Sequence, residues 1–182
     1  GRSEPSLVSW AASSFNIPSI AWSPDGTRIA TTQWKGGTTM VWDATDGRKL
    51  LSLEEGTTLK NGIDWHPISN QLAWGSVGND FQLRIYDVND GSMTRLKEDT
   101  GSHRYVRWSP DGTRIACSGF KWAIGIWDAR TGRAVVTPNR SQGGKNFALA
   151  WSPTGDRLAT AGGDGATLRL WDADSGKLLS RL

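Results

Sequence analysis

Trp22-Ser23-Pro24-Asp25-Gly26-Thr27-Arg28-Ile29-Ala30 recurs without a change as Trp108-Ser109-Pro110-Asp111-Gly112-Thr113-Arg114-Ile115-Ala116. Related phrases stand between and after the two copies, Trp65-His66-Pro67-Ile68-Ser69 and Trp151-Ser152-Pro153-Thr154-Gly155, so that the four leading tryptophans are each 43 residues apart. A second marker follows each of them after 19 to 21 residues: Trp42-Asp43, Tyr86-Asp87, Trp127-Asp128 and Trp171-Asp172. Two markers keeping step through four units make the chain an internal repeat. Helical repeats of this length would carry apolar residues with a 3.6-residue period, which is absent here.

Turn chemistry divides each unit into four short strands. In the fourth unit Phe147 to Trp151 is apolar and ends at Ser152-Pro153-Thr154-Gly155, with proline where a fixed φ suits the turn and glycine where φ can be positive. Arg157 to Ala161 is a second strand, Gly162-Gly163-Asp164-Gly165 a hairpin turn, and Thr167 to Trp171 a third strand with alternating Leu168 and Leu170. Asp172-Ala173-Asp174-Ser175-Gly176 then turns into a fourth, Lys177 to Leu182. Similar turns occur at Asp25-Gly26, Asp46-Gly47, Asp90-Gly91 and Asp111-Gly112. The expectation is an all-β chain, a β-propeller of four-stranded antiparallel blades with four blades per chain.

The Trp-Asp pairs, the Ser-Pro-Asp-Gly turns and the 43-residue period make the chain resemble the WD-repeat family over nearly its whole length, from about residue 6. That resemblance implies interaction platforms with many unrelated partners, rings of about seven blades, and a His, Ser/Thr, Asp and Trp network within each blade. Here the network is mostly missing: His66 and His103 fall elsewhere, and the fourth unit alone offers a set, Asp164, Thr160 and Trp171. The chain 1–182 divides into an N-terminal segment 1–14 and blades at 15–53, 54–96, 97–137 and 138–182. Ser6 to Trp10 aligns with the fourth-strand segments Leu50 to Leu53 and Leu178 to Leu182, one outer strand in surplus.

An open array of four blades leaves a bare apolar face at each end. A closed four-bladed ring, two chains joined as an eight-bladed ring, or a longer chain would each cover those faces. Blades with tryptophan cores suit a wide ring, which makes the chain half of an eight-bladed ring and a homodimer the preferred arrangement, with other proteins as further partners. The identical nonapeptides also fit recent duplication, a consensus-built sequence or an engineered propeller with no natural ligand.

At 182 residues with 37% hydrophobic content and 11 Trp, the chain can build a core. The net charge of +3 arises from 21 basic and 18 acidic residues scattered along the chain, a pattern that argues against a nucleic-acid partner. No run of 18 apolar residues and no basic-then-apolar leader is present, so the expectation is a cytoplasmic protein with no membrane partner. Cys117, the single cysteine, lies in an apolar strand and reads as core.

No catalytic residue, cofactor site or metal site is expected. Walker, HExxH and GxSxG patterns are absent, and two histidines are too few for a usual zinc site. Asp172-Ala173-Asp174-Ser175-Gly176 lacks the distant glutamate of a calcium loop and reads as an Asx turn.

Recognition is left, and position-by-position comparison picks its residues. Trp22, Trp65, Trp108 and Trp151 on first strands, and Trp42, Trp127 and Trp171 on third strands, recur in register and are expected in the core, with Tyr86 standing in for the third-strand Trp and Asp43, Asp87, Asp128 and Asp172 as the markers after them. Trp34 occupies a turn position filled elsewhere by Gly78, Gly119 and Gly163, and is expected to be exposed. With Lys35 and the equivalent Phe120, Lys121 and Trp122 it forms a candidate aromatic and basic partner-binding patch, or an alternative small-ligand or carbohydrate site. Tyr105 and Arg107 are further candidates if alternate residues of their strand face the central channel. Trp74, where other units carry Thr31, Cys117 and Thr160, is expected to fill space left by smaller neighbours.

Overall fold

The computed structural model describes residues 16–34, 36–54, 59–77, 82–96, 104–119, 124–137, 146–162 and 167–182. Sheet 1 comprises β1 (Ser19–Trp22), β2 (Arg28–Thr32), β3 (Thr38–Asp43) and β4 (Lys49–Glu54). Sheet 2 comprises β5 (Leu59–Trp65), β6 (Gln71–Val77), β7 (Leu83–Asp87) and β8 (Met93–Arg95). Sheet 3 comprises β9 (Tyr105–Trp108), β10 (Arg114–Ser118), β11 (Gly125–Asp128) and β12 (Ala134–Val136). Sheet 4 comprises β13 (Asn146–Trp151), β14 (Arg157–Gly162), β15 (Thr167–Asp172) and β16 (Leu178–Arg181). Each is an antiparallel meander in sequence order, and the expected all-β architecture of four four-stranded blades is what the chain adopts. The proposed surplus strand at Ser6 to Trp10 lies outside the described residues.

The turns form as their residues dictate. Gly26, Gly112 and Gly155 close the first turn of their units with φ of 70°, 72° and 74°, a region that costs a side-chained residue strain. Asp25 Oδ1 accepts from the Thr27 N–H at 2.9 Å and the Ser23 hydroxyl at 2.6 Å. The marker aspartates make the expected Asx turns: Asp172 Oδ1 accepts from the Ser175 N–H at 2.8 Å and its hydroxyl at 2.6 Å.

Strand pleating gives each sheet two unlike faces. On one lie the first-strand Trp, the apolar second residue of the second strand and the third-strand Trp or Tyr, as the pairings Trp22↔Ile29↔Trp42 and Trp151↔Leu158↔Trp171 show. On the other lies the following alanine of the second strand: Ala30, Ala73, Ala116 or Ala159. In sheets 2, 3 and 4 the Trp face packs on the alanine face of the sheet before it. Trp65, Leu72, Trp74 and Tyr86 cover Ala30 and Val41; Trp108, Ile115 and Trp127 cover Ala73, Leu83 and Ile85; Leu149, Leu158 and Trp171 cover Ala116, Ile126 and Val136. Cys117 is buried in the second of these layers.

The first strands carry the series from sheet to sheet, β1 on β5, β5 on β9 and β9 on β13. Among the described residues no comparable packing joins sheet 4 to sheet 1. No helix of the described residues is long and apolar enough to cross a membrane.

Candidate functional site: the free sheet faces and a cleft at the first strands

Serial packing has a direct consequence for burial. Ala30, Ala73 and Ala116 are each 0% exposed, and Trp65 and Trp108 only 4% and 5%. At the ends of the series Ala159 is half-buried, and Trp22 is 58% exposed beside Ile20 at 60%. The expectation that Trp22 lies in the core is therefore corrected: among the described residues no preceding sheet packs in front of it. Met40 and Trp42 on the same face stay buried. Ala148, Ala150, Ala159, Ala161 and Leu168 line a shallow apolar depression of about 140 Å³ on the free face of sheet 4.

Polar contacts pin the internal junctions. The Ile63 N–H donates to Ser19 Oγ at 3.2 Å between sheets 1 and 2, and the Trp108 N–H donates to Asp64 Oδ2 at 2.8 Å between sheets 2 and 3. Between sheets 3 and 4 Trp151 Nε1 donates to the Arg107 carbonyl at 3.0 Å. Burial pushes the Asp64 carboxyl up to about 6, against the opposing pull of the Trp108 N–H and the Arg107 charge. A carboxyl whose folded pKa exceeds its unfolded value of about 3.9 binds its proton more tightly in the folded state. Its contribution is present below that unfolded value and lost as pH rises through 6, roughly 2–3 kcal/mol in all. Asp64→Asn keeps the acceptor without the titration. Urea unfolding at pH 4 and pH 7.5 is expected to show the parent losing roughly 2–3 kcal/mol relative to the variant, and an unchanged difference between the two proteins would refute this assignment.

A second candidate site is a cleft of about 230 Å³ lined by Pro18, Ser19, Trp34, Gly62, Arg104, Tyr105 and Arg107. It brings three of the sequence-selected residues, Trp34, Tyr105 and Arg107, into one place from two blades. Trp34 is half-buried and not exposed as expected, because its N–H bonds the Asn16 carbonyl at 3.0 Å and the Arg104 guanidinium lies 5.5 Å from its ring centroid. Lys35, Phe120, Lys121 and Trp122 lie outside the described residues, as do His103 and Asp164. Sequence reasoning missed Arg104, whose only signal is its place beside Tyr105, and Gly62. A Cβ on Gly62 would stand 2.7 Å from the Arg104 carbonyl and 2.8 Å from the Val106 nitrogen, so glycine there permits the close approach of β5 and β9.

Within the blades, Trp171 Nε1 donates to Thr160 Oγ1 at 3.0 Å, and Trp42 Nε1 donates to Thr31 Oγ1 at 2.9 Å. The Trp–Thr part of the family network thus exists in sheet 1 as well as in the fourth unit. Trp74, at the matching site of sheet 2, is wholly buried and lies 6.2 Å from Tyr86. Among the described residues no group of three His, Cys, Asp or Glu side chains is placed to hold a metal ion.

Four Trp-faced antiparallel sheets stacked in series define a propeller-type repeat protein. The family model described as WD domain, G-beta repeat matches residues 6–43 and 146–172, and the chain belongs to the WD-repeat family. Mouse WD repeat-containing protein 1 is 30% identical over 174 residues, which is 90% of this chain and 27% of that protein. The periodic tryptophan protein 2 homolog of Dictyostelium discoideum is 27% identical over 135 residues, 72% of this chain and 14% of that protein. The anaphase-promoting complex subunit cdh1 of the same organism is 23% identical over 141 residues, 69% and 18% of the two lengths. The chain thus spans about a quarter or less of these relatives.

Proposed function

We propose that this chain is a non-catalytic interaction scaffold whose first assembly partner is a second copy of itself, two four-bladed arrays closing into one eight-bladed ring. The observation that carries the reading is the contrast along the alanine row, fully covered at Ala30, Ala73 and Ala116 and only partly covered at Ala159, together with the exposed Trp22 at the opposite end. The two free faces have the composition that packs together three times inside the chain. A two-fold axis brings each free alanine face onto a free Trp face, so both ends are covered at once and no further copy can add. Bare apolar sheet faces left in water would drive less specific association.

The cleft at Trp34 adds a concave aromatic and cationic surface on which another protein segment can dock. A stacked sugar is less well served there, because one face of the Trp34 indole already carries the Arg104 guanidinium.

Light scattering coupled to size exclusion, across a dilution series, tests the assembly. The expected result is a plateau at twice the 19.8 kDa chain mass, reached without larger species. A sharp monomer at every concentration, or a mass that climbs without limit, refutes ring closure.

A further inference from the structure

At the junction of sheets 3 and 4 one side chain ties the two blades from their rim. Arg114, the first residue of β10, reaches across to sheet 4. Its Nη2 donates to the Gly155 carbonyl at 2.7 Å, and its Nη1 to Asp174 Oδ1 at 2.8 Å and the Ala173 carbonyl at 3.4 Å. Its guanidinium carbon lies 5.2 Å from the centroid of the Trp151 ring. One planar cation therefore satisfies a turn carbonyl, a carboxylate and a tryptophan face together, a combination suited to arginine rather than lysine. Where Gln71 holds the same place in sheet 2, it bonds instead to Asp87 of its own sheet at 3.4 Å.

The halves of this clasp recur at the two free ends. Arg157 opens β14 as Arg114 opens β10, opposite Asp172 and Asp128 respectively. Among the described residues nothing of a following blade is in front of Arg157: its side chain is 60% exposed and its ion-pair partner is the adjacent Asp156 at 3.5 Å. A pair between two such exposed groups is readily given up. On the Trp face of sheet 1, which is exposed at its first strand, Trp22 stands where Trp151 stands in sheet 4. Gly26 and Ala44 match Gly155 and Ala173 in backbone as well as in position. The Gly26 and Gly155 N–H groups each bond the serine carbonyl three residues back at 3.0 Å, and the Ala44 and Ala173 N–H groups bond Thr27 and Asp156 carbonyls at 2.9 Å. The one missing element is the carboxylate, since Thr45 occupies the place of Asp174.

We infer that Arg157 of one copy clasps Trp22 and the Gly26 and Ala44 carbonyls of a second copy, and that this contact sets the register in which the free faces meet. The inference rests on the self-assembly proposed above and goes further by naming the side chain that aligns the copies. The two-fold ring contains the contact twice, so each substitution acts at both junctions.

Thr45→Asp supplies the missing carboxylate and makes a double-mutant cycle with Arg157→Ala. Dimer dissociation constants are measured by sedimentation velocity for the parent chain, both single variants and the double variant. Arg157→Ala is expected to weaken the dimer roughly tenfold. Thr45→Asp is expected to tighten the parent dimer about threefold or more and to have no such effect in the Arg157→Ala background. If Thr45→Asp acts equally in both backgrounds, including not at all, the clasp is wrong while a dimeric parent leaves self-assembly standing. A parent chain that stays monomeric overturns both. Residues 45 and 157 are at the surface, and circular dichroism of each variant checks that the blades remain folded.

Discussion

Trp74→Ala is expected to lower the free energy of unfolding by about 3–5 kcal/mol, the range for truncating a fully buried large aromatic side chain. Trp74 is 0% exposed on β6, opposite Ile63 and Arg84 in the ladder, within the layer formed by Ala30, Val41, Ile63, Trp65, Leu72 and Tyr86. The other sheets place Thr31, Cys117 or Thr160 at this site, and in sheets 1 and 4 the threonine accepts the hydrogen bond of a third-strand Trp. Sheet 2 has Tyr86 on its third strand, and the indole sits on the second strand instead. Removing it leaves a void beside Tyr86, whose ring centroid stands 6.2 Å from that of the indole. A matched cavity term adds to the lost transfer free energy because the alanine face of sheet 1 is held by its own ladder. Urea unfolding followed by fluorescence measures the change, and a loss below about 1 kcal/mol would mean that this layer collapses freely or is not packed as described.

Ala159→Arg is expected to weaken the dimer at least about a hundredfold while changing monomer stability by less than about 1 kcal/mol. The three equivalent alanines are completely covered by the Trp face of the next sheet, leaving no volume for a longer side chain. On the free face of sheet 4 an arginine at this position can run its stem over Ala150 and Leu170 and keep its charge in water. Once a second copy arrives, the same guanidinium is desolvated between two apolar faces with no acceptor opposite. Dilution-series light scattering on the variant, with a thermal melt at a concentration where it is monomeric, separates the two effects. A dimer of parental affinity would show that the sheet 4 face is not the contact surface.

Much of this architecture was legible in the residues because turn chemistry and pleating are local. The strand read as Phe147 to Trp151 runs Asn146–Trp151, that read as Arg157 to Ala161 runs Arg157–Gly162, and that read as Thr167 to Trp171 runs Thr167–Asp172. In each case proline, glycine or aspartate ends the strand for reasons held within four or five residues. Trp34 shows where local reading stops. Its place in a turn between the second and third strands was plain, but its half-burial comes from Asn16 and from Arg104, a residue seventy positions away in another blade. Gly62 carried no signal either, since the need for it arises from the backbone of β9 passing within a Cβ contact.

The repeat itself separates what sequence decides from what packing decides. Residues 22–30 and 108–116 are the same nine amino acids and fold into the same strand, turn and strand, with Gly26 and Gly112 at φ of 70° and 72° and the same Ser–Asp–Thr hydrogen bonds. Composition and period therefore determined the blade, its turns and the number of units. Yet Trp108 is 5% exposed and Trp22 is 58% exposed. No property of either nonapeptide distinguishes them, because burial belongs to the surface opposite a side chain. Sheet 2 lies in front of Trp108, and among the described residues no preceding sheet lies in front of Trp22.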